Sequence, residues 1–334
     1  MGAAAALDPG KRIADFYAPG KNITINNQGF RGLADYSQPK PAGSYRAVFL
    51  GDSFTLGYYF EDTVAARLER RLNQIGDGVR YEVVNCAATS YSPLVEYMRI
   101  RHQLAELRPD EIILNIDLTD VYDDYWRYRP LTRFAPDGEP LAIRSPQGRR
   151  RRIVNWFTRY TFTGRFLFGL NASVSAGLHS NVTVDRPPIP ANLFAYNSTL
   201  PVDSDEWKRD VAFCLQNIAR IIRFTRERGV ALTITTFPHR QQLEPDTNGK
   251  VWHREFERRV EALCRELGVD YFSAFEGIAQ AFHAGQHVYW GELDMHFTPD
   301  GQRLWGGLIA DYYVARHARL PRGSMSVQIP SPKK

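Results

Sequence analysis

The chain lacks the features that mark several large classes of protein. It has 3 cysteines among 334 residues, too few and odd in number for a disulfide framework. Cys86, Cys214 and Cys264 stand in apolar strand or helix contexts, so we expect buried free thiols, although one disulfide stays open. No group of residues has metal-ligand spacing, and we expect neither a metal nor another cofactor.

Long apolar runs and a strong charge of one sign are also missing. No stretch reaches the roughly 18 apolar residues of a membrane-spanning helix, and residues 1–7 are too short for the apolar part of a signal peptide. The 42 Lys and Arg against 37 Asp and Glu give a formal net charge of +5. This mild excess is not a nucleic-acid signature, so we expect a chain soluble as given, without a nucleic-acid partner.

What the chain does have is a hydrophobic content of 43%, enough for a sizeable core in one or two domains. Apolar runs typical of strands alternate with helical patterns, which predicts a parallel sheet with helices on both faces. The expected strands are residues 46–50, 81–85, 111–116, 230–236 and 269–272. The expected helices are residues 62–75, 92–107, 205–228, 251–267 and 301–313. We therefore predict an α/β fold of three layers, α/β/α, with about five parallel strands in a flavodoxin-like order.

Proline-rich residues 124–204 interrupt this rhythm and predict a large insertion that forms a lid or small subdomain near the active edge. Within it, the run Arg149-Arg150-Arg151-Arg152 precedes aromatic residues. This run is a solvated loop, a peripheral membrane contact or a groove for an anionic or sugar substrate. Four aromatic residues near its start either stack on sugar rings or pack the insertion: Tyr122, Tyr125, Trp126 and Tyr128. The remaining chain divides into a lead-in at 1–24, one domain at 25–318 and a flexible tail at 319–334.

The most informative stretch is Gly51, Asp52 and Ser53. It follows an expected strand and precedes a helical pattern, so the serine lies at a strand-to-helix turn at the carboxyl end of a strand. Ligands bind at that end of open α/β sheets. A serine hydroxyl there can attack an acyl carbon, and its own N–H can help to hold the oxyanion. The alternative is that Ser53 only caps the helix.

An aspartate and a histidine stand two apart near the other end of the chain, at Asp294 and His296, just before Pro299 and a helical run. A histidine general base needs a carboxylate to orient it and to stabilise its charged form. One short loop can supply both groups. The alternative is a loop histidine near the start of a helix.

Together these segments resemble the SGNH, or GDSL-type, family of serine esterases and acylhydrolases. That family has its nucleophile in an N-terminal G-D-S block and an Asp-His pair in a C-terminal block. Residues 25–32, INNQGFRG, are similar to the N-x-x-G-F-R-G lead-in of a bacterial branch. Residues 237–241, FPHRQ, are similar to its P-x-x-Q segment. The resemblance covers about residues 25–130 and 207–315.

The resemblance implies Ser53 as nucleophile, His296 as base and Asp294 as its partner, with Ser53, Ser90 and Thr119 as oxyanion donors. Two of these depart from the family pattern. Ser90 stands in place of the glycine of N-x-G-x-x-G, which is tolerable if its φ is negative. Thr119 stands in place of the asparagine of G-x-N-D, and its hydroxyl is a shorter donor. The candidate substrate-binding residues beside these blocks are Asp52, Asp120, Tyr122 and Tyr91.

Three functions remain open. The first is a serine esterase that removes O-acyl groups from a carbohydrate or a similar small ester. The second is an acyltransferase to sugar hydroxyls. The third is a weakly active or inactive binding protein on the same scaffold, favoured by the replaced asparagine. Relatives with this lead-in often carry an upstream membrane anchor, so an anchor outside this chain and an extracytoplasmic location stay open.

Overall fold

The structure is a computed structural model that describes residues 12–14, 22–57, 62–144, 199–245, 249–291 and 294–319. Its strands are β1 (Arg12–Ala14), β2 (Asn22–Thr24), β3 (Ser44–Leu50), β4 (Arg80–Asn85), β5 (Glu111–Ile116), β6 (Thr132–Phe134), β7 (Pro140–Ile143), β8 (Ala231–Thr236) and β9 (Asp270–Ser273). Its α-helices are α1 (Ser53–Leu56), α2 (Val64–Asn73), α3 (Pro93–Arg99), α4 (Thr119–Tyr122), α5 (Asp205–Glu227), α6 (Glu255–Leu267), α7 (Phe275–His283) and α8 (Pro299–Arg319).

The central sheet has 5 strands in the order β4-β3-β5-β8-β9, and every neighbouring pair is parallel. Numbered among themselves, these strands follow the flavodoxin-like order 2-1-3-4-5. β5 is buried along its whole length, as expected for a parallel strand covered on both faces. The predicted α/β fold with five parallel strands and flanking helices is confirmed. Its carboxyl edge collects the turns after β3, β4, β5 and β8.

Two compact units make up the chain. One, residues 6–130 and 194–334, contains the central sheet. The other comprises residues 1–5 and 131–193, and its described part contains the antiparallel hairpin of β6 and β7. Most of the predicted insertion, with Arg149-Arg150-Arg151-Arg152, lies outside the described residues, so its lid role and the predicted domain bounds stay predictions.

One apolar core lies where α2, α7 and α8 pack on the sheet. Helix α2 begins at Thr63, whose side chain accepts the Ala66 N–H at 3.2 Å. It buries Val64, Ala65, Leu68 and Leu72, spaced so that they share one face. In the same cluster, Trp305 of α8 packs against Phe49 of β3, with ring centroids 6.1 Å apart. These contacts hold α8 beside the strand that leads to Ser53.

Three features of the fold differ from the expectations or were not expected. The helix predicted over 92–107 keeps α-helical form only to Arg99 and continues through a wider turn, Ile100–Leu104, and a tighter one, Ala105–Leu107. Helix α7 was not predicted, because Gly277 weakens its pattern. A Cβ there would lie 2.7 Å from Leu308, so glycine permits the close approach of α7 and α8. The short pair β1 and β2 was also missed.

The cysteine prediction is confirmed, since Cys86, Cys214 and Cys264 are all buried free thiols. Among the helices of the described ranges, none is both long and apolar enough to span a membrane.

Candidate active site

A sharp turn at Gly51 places Ser53 at the carboxyl edge of the sheet. Gly51 has φ of 151°, and a Cβ on it would lie 2.3 Å from Thr55 Oγ1 and 3.1 Å from Asn115 Cβ. Only glycine fits where β3 meets α1 and β5 so closely. Asp52 then caps α1, because its Oδ1 accepts the N–H of Phe54 at 2.9 Å. Ser53 is therefore the first residue of the helix, directly after β3.

The three residues of the predicted triad lie together although they come from distant parts of the chain. Ser53 Oγ is 2.8 Å from His296 Nε2, and His296 Nδ1 is 2.6 Å from Asp294 Oδ1. The short bond to the carboxylate assigns the ring proton to Nδ1, which leaves Nε2 as the acceptor for the serine proton. Ser53 is 8% exposed, so its hydroxyl lies at the floor of the site.

Local contacts hold the His296 loop in place. Tyr289 and Phe297 form an antiparallel bridge, and their rings stack with centroids 5.1 Å apart. The carbonyl of His296 accepts the N–H of Trp290 at 3.1 Å, and its own N–H donates to Asp294 Oδ1 at 3.0 Å. Asp294 thus orients the backbone and the ring of the same histidine, which fixes the direction of Nε2 before substrate binds.

The segment that corresponds to N-x-G-x-x-G, residues 85–90, is the second block, and it runs beside the nucleophile turn. Asn85 Nδ2 donates to the Thr55 carbonyl at 2.9 Å, and the Ala88 N–H donates to the Gly51 carbonyl at 3.1 Å. Ser90 does not have the negative φ under which serine was expected to be tolerable in place of glycine, because its φ is +57°. The backbone keeps the left-handed form that suits the family's glycine, which costs a serine on the order of 1 kcal/mol. Within the described chain, the N–H groups of Ser53 and Ser90 donate to no protein acceptor.

The lead-in motif braces this second block. Asn26 Oδ1 accepts the N–H groups of Gln28 and Phe30, at 3.1 and 2.8 Å, which closes a tight loop around Gly29. The loop then places Arg31 so that its N–H donates to the Asn85 carbonyl at 3.0 Å. The motif is therefore a structural support for the block that carries Ser90.

In the segment that corresponds to G-x-N-D, the third block, the hydroxyl of Thr119 already donates a hydrogen bond. Both the hydroxyl and the N–H of Thr119 donate to Asp117 Oδ1, each at 2.7 Å. The oxyanion role predicted for Thr119 would require this bond to break, because the hydroxyl has one proton. Asp117 Oδ1 is also 3.4 Å from His239 Nε2, and both side chains are almost fully buried. This Asp117–His239 pair was missed: His239 was noted only as part of the P-x-x-Q segment.

The four predicted substrate-binding residues, Asp52, Asp120, Tyr122 and Tyr91, are 5%, 3%, 7% and 7% exposed. Asp120 Oδ2 accepts the N–H of Asp117 at 2.9 Å, which closes the turn into α4.

The aromatic residues after the third block pack on helix α5. Trp126 Nε1 donates to Asp210 Oδ2 at 2.8 Å, and the rings of Tyr125 and Phe213 meet edge to face at 5.7 Å. Of the two interpretations given to these aromatics, the contacts favour packing for Tyr125 and Trp126.

Several buried carboxyl groups surround the site. Burial raises the pKa values of Asp52, Glu96 and Asp120 well above their usual range, with nearby carboxylates adding to the effect. Burial also raises the pKa of Asp123 to about 7 and that of Asp124 to about 6.

Among these carboxyl groups, Asp117 and Glu96 differ most in the hydrogen-bond partners that could stabilise their ionised form. Burial opposes the ionisation of Asp117, yet His239 and the two donors of Thr119 lower its pKa. Neither carboxyl oxygen of Glu96 has a hydrogen bond within the described chain. Glu96, on α3, was not identified as a site residue from the sequence. Among the described residues, no three His, Cys, Asp or Glu side chains are arranged to hold a metal ion.

Comparison with known proteins identifies a family. The sequence profile of the GDSL-like lipase/acylhydrolase family matches residues 49–304. No curated protein has a significantly similar sequence.

Several solved structures are similar to the chain at low sequence identity. A catalytic mutant of an acetylxylan esterase from Geobacillus stearothermophilus is 10% identical, with a TM-score of 0.46 over 80% of this chain and 93% of that one. A lipase/acylhydrolase from Enterococcus faecalis is 11% identical, with a TM-score of 0.43 over 81% and 96%. A GDSL-like lipase from Bacteroides thetaiotaomicron is 10% identical, with a TM-score of 0.39 over 81% and 88%. Likenesses of this size say nothing about substrate.

Proposed function

Because the chain belongs to the GDSL-like lipase/acylhydrolase family, we propose that it is a serine esterase that removes small O-acyl groups by way of an acyl-enzyme. The observation that carries the proposal is the unbroken series of contacts from Ser53 Oγ to His296 Nε2 and from His296 Nδ1 to Asp294, at 2.8 and 2.6 Å. These distances lie within the range for a nucleophile, its base and the group that orients the base.

In the proposed reaction, Ser53 Oγ attacks the ester carbonyl carbon while its proton moves to His296 Nε2. The N–H groups of Ser53 and Ser90 hold the oxyanion, and Asp294 stabilises the imidazolium. The tetrahedral intermediate collapses as His296 returns the proton to the leaving alkoxide. A water molecule then repeats the sequence on the acyl-serine and releases the acid.

We assign the substrate to small acyl esters of a carbohydrate or similar polyol. The 8% exposure of Ser53 supports a small acyl group, because a long chain would need an open groove at the serine. The polar groups of the predicted substrate-binding residues Asp120, Tyr91 and Tyr122 are of the kind that bind the hydroxyls of such an alcohol.

The experiment that tests the proposal is covalent labelling with a fluorophosphonate, followed by mass spectrometry to find the labelled residue. Ser53 should be labelled, and labelling should disappear in Ser53→Ala. Ser44→Ala is a matched control at the opposite end of the same strand and should label like the wild type. A label on another serine would refute the assignment of the nucleophile.

The other two functions correspond to distinct outcomes. An acyltransferase would label at Ser53 but divert the product from acid to ester when a polyol is added to the assay. A binding protein would neither label nor hydrolyse p-nitrophenyl acetate. Labelling at Ser53 with release of acid, unaffected by polyol, supports the esterase.

A further inference from the structure

The hydroxyl of Ser53 lies between two polar groups. Its Oγ is 2.8 Å from His296 Nε2 and 3.2 Å from Asp52 Oδ2. A hydroxyl has one proton, so it can donate to only one of them. Attack on an ester requires that proton to point toward His296. In that state Ser53 Oγ and Asp52 Oδ2 face each other as two acceptors, unless Asp52 itself carries a proton.

The position of such a proton follows from the helix cap. Asp52 Oδ1 accepts the N–H of Phe54 at 2.9 Å, so a proton on Oδ1 would oppose that donor. Oδ2 points to Ser53 and is the oxygen left for protonation. The same side chain can therefore cap α1 with one oxygen and donate to the nucleophile with the other.

The surroundings of Asp52 disfavour its ionised form. Asp52 is 5% exposed. The charged groups that face it are carboxyls from several elements: Asp117 after β5, Asp120 of α4, Asp123 of the following turn and Glu96 of α3. Like charges buried together cannot all ionise.

The nearby basic side chains face other carboxyls. Arg127 pairs with Asp123 at 3.0 Å and His239 lies 3.4 Å from Asp117, while no Lys or Arg of the described chain pairs with Asp52. Burial, with the neighbouring Asp117, raises the pKa of Asp52, in agreement with the geometry.

We propose that Asp52 is a positioning residue whose neutral carboxyl group donates its Oδ2 proton in a hydrogen bond to Ser53 Oγ and so directs the serine proton to His296. The proposal rests on the assignment of Ser53 as nucleophile. Asp52 keeps its proton throughout the reaction and transfers nothing. Its neutrality has a second consequence: a carboxylate 3.2 Å from Oγ would repel the oxyanion, whereas a carboxylic acid does not.

Asp52→Asn is the decisive variant, because asparagine can accept from the Phe54 N–H and donate its amide proton where Asp52 Oδ2 lies. Asparagine also caps helices as well as aspartate does. We expect kcat/KM within about threefold of wild type near neutral pH, since the donor is preserved. Asp52→Ala, which lacks both groups, should lose tenfold or more. If Asp52 acts as a carboxylate, Asp52→Asn will instead lose as much as Asp52→Ala, and the proposal is overturned.

The pH profile and infrared spectrum separate this role from simple capping. Ionisation of Asp52 should lower the kcat/KM of the wild type at alkaline pH, and Asp52→Asn should lack that decline. Near neutral pH, the difference spectrum of wild type minus Asp52→Asn should show the loss of one protonated-carboxyl carbonyl stretch, while the bands of Glu96 and Asp120, whose pKa values burial also raises, cancel. The matched control Asp110→Asn removes a carboxylate paired with Lys40 and should show no such loss. A difference spectrum without a protonated-carboxyl band for Asp52→Asn overturns the proposal.

These measurements also separate the proposed esterase function from the proposed role of Asp52. If the wild type neither hydrolyses esters nor labels at Ser53, the proposed function fails, while the infrared comparison still reports the protonation of Asp52. If the wild type is active and the infrared band is unaffected by Asp52→Asn, only the role of Asp52 fails.

Discussion

The two ends of the central sheet treat buried carboxyl groups in opposite ways. At the amino end, three acidic side chains have cationic partners. Arg46 contacts Glu82 at 2.7 Å, Arg316 contacts Glu111 at 2.7 Å, and Lys40 pairs with Asp110. Glu111 also accepts the hydroxyls of Tyr45, Thr233 and Tyr313. These groups join β3, β4, β5, β8 and α8.

At the carboxyl end, Asp52, Glu96 and Asp120 have no such partners within the described chain, and burial raises the pKa of each. The difference teaches that residue type does not decide the role of a buried acid. A cation at bonding distance favours the charged form of a buried acid, whereas burial without such a partner, among other carboxyl groups, favours the neutral form. Substitutions at the amino end should therefore lower stability, and those at the carboxyl end should change activity or the pH dependence of stability.

The largest effect is expected for Ser53→Ala. Hydrolysis of a p-nitrophenyl ester should fall by roughly 10⁴-fold or more, as for removal of a serine nucleophile elsewhere. The free energy of unfolding should change by about 1 kcal/mol or less, because one hydroxyl is removed. Steady-state kinetics and urea unfolding measure the two quantities. Retention of most activity would show that another group attacks the ester.

Asp294→Asn should follow, with a loss in kcat of about 10⁴-fold, since asparagine can hold the wrong histidine tautomer and cannot stabilise imidazolium. His296→Ala should be at least as severe. Rates for both variants under one set of conditions provide the check. Near-normal rates in Asp294→Asn would mean that a different carboxylate orients His296.

Glu111→Gln tests the amino end. We expect a loss in unfolding free energy of about 1.5–3 kcal/mol, because charge-assisted bonds from Arg316 and neighbouring hydroxyls are weakened. The value of kcat should be unchanged. Glu261→Gln, which breaks an exposed pair with Arg265, is the matched control and should cost about 0.5 kcal/mol or less. Equal losses in the two variants would contradict a special role for the amino-end network.

Glu96→Gln tests the carboxyl end, where we expect the substitution to raise stability and not to lower it. Burial raises the pKa of Glu96 above its value in the unfolded chain, so the folded state binds the proton more tightly. The stability linked to that proton is present at low pH and is lost as pH rises through the raised pKa. Glu96→Gln should therefore stabilise the protein at pH 8 by on the order of 1 kcal/mol, and less at pH 5. Urea unfolding at both pH values would reveal an incorrect sign.

Among the substitutions of predicted catalytic residues, Thr119→Val should have the smallest effect on activity. Valine keeps the shape and the N–H that donates to Asp117, and removes only the hydroxyl. If that hydroxyl serves Asp117 alone, kcat should fall by less than about tenfold. Loss of a true oxyanion donor would cost about 10²–10³-fold. A fall of that size would show that Thr119 leaves Asp117 when substrate binds.

Local patterns explain why much of the fold was predictable. The strand expected at 111–116 matches β5, and the helix expected over 205–228 ends one residue earlier, at Glu227. Burial of a parallel strand requires a continuous apolar run, and α5 shows a regular apolar stripe, so both signals lie within a few neighbouring residues. Helix α7 was missed because Gly277 serves a contact with Leu308 that no local pattern contains.

The sequence by itself determined the sheet, its strand order and the two segments that bring Ser53 and His296 to one edge. Only the tertiary structure decided the remaining features of the site: the positive φ of Ser90, the Thr119 bond to Asp117, the burial of Glu96 and the contact of Asp52 with Ser53. The physical reason is that strands and turns arise from the pattern of neighbouring residues, whereas a hydrogen bond depends on a few tenths of an ångström. Those distances are set by the packing of segments from distant parts of the chain, even where the two bonded residues are neighbours, as Asp52 and Ser53 are.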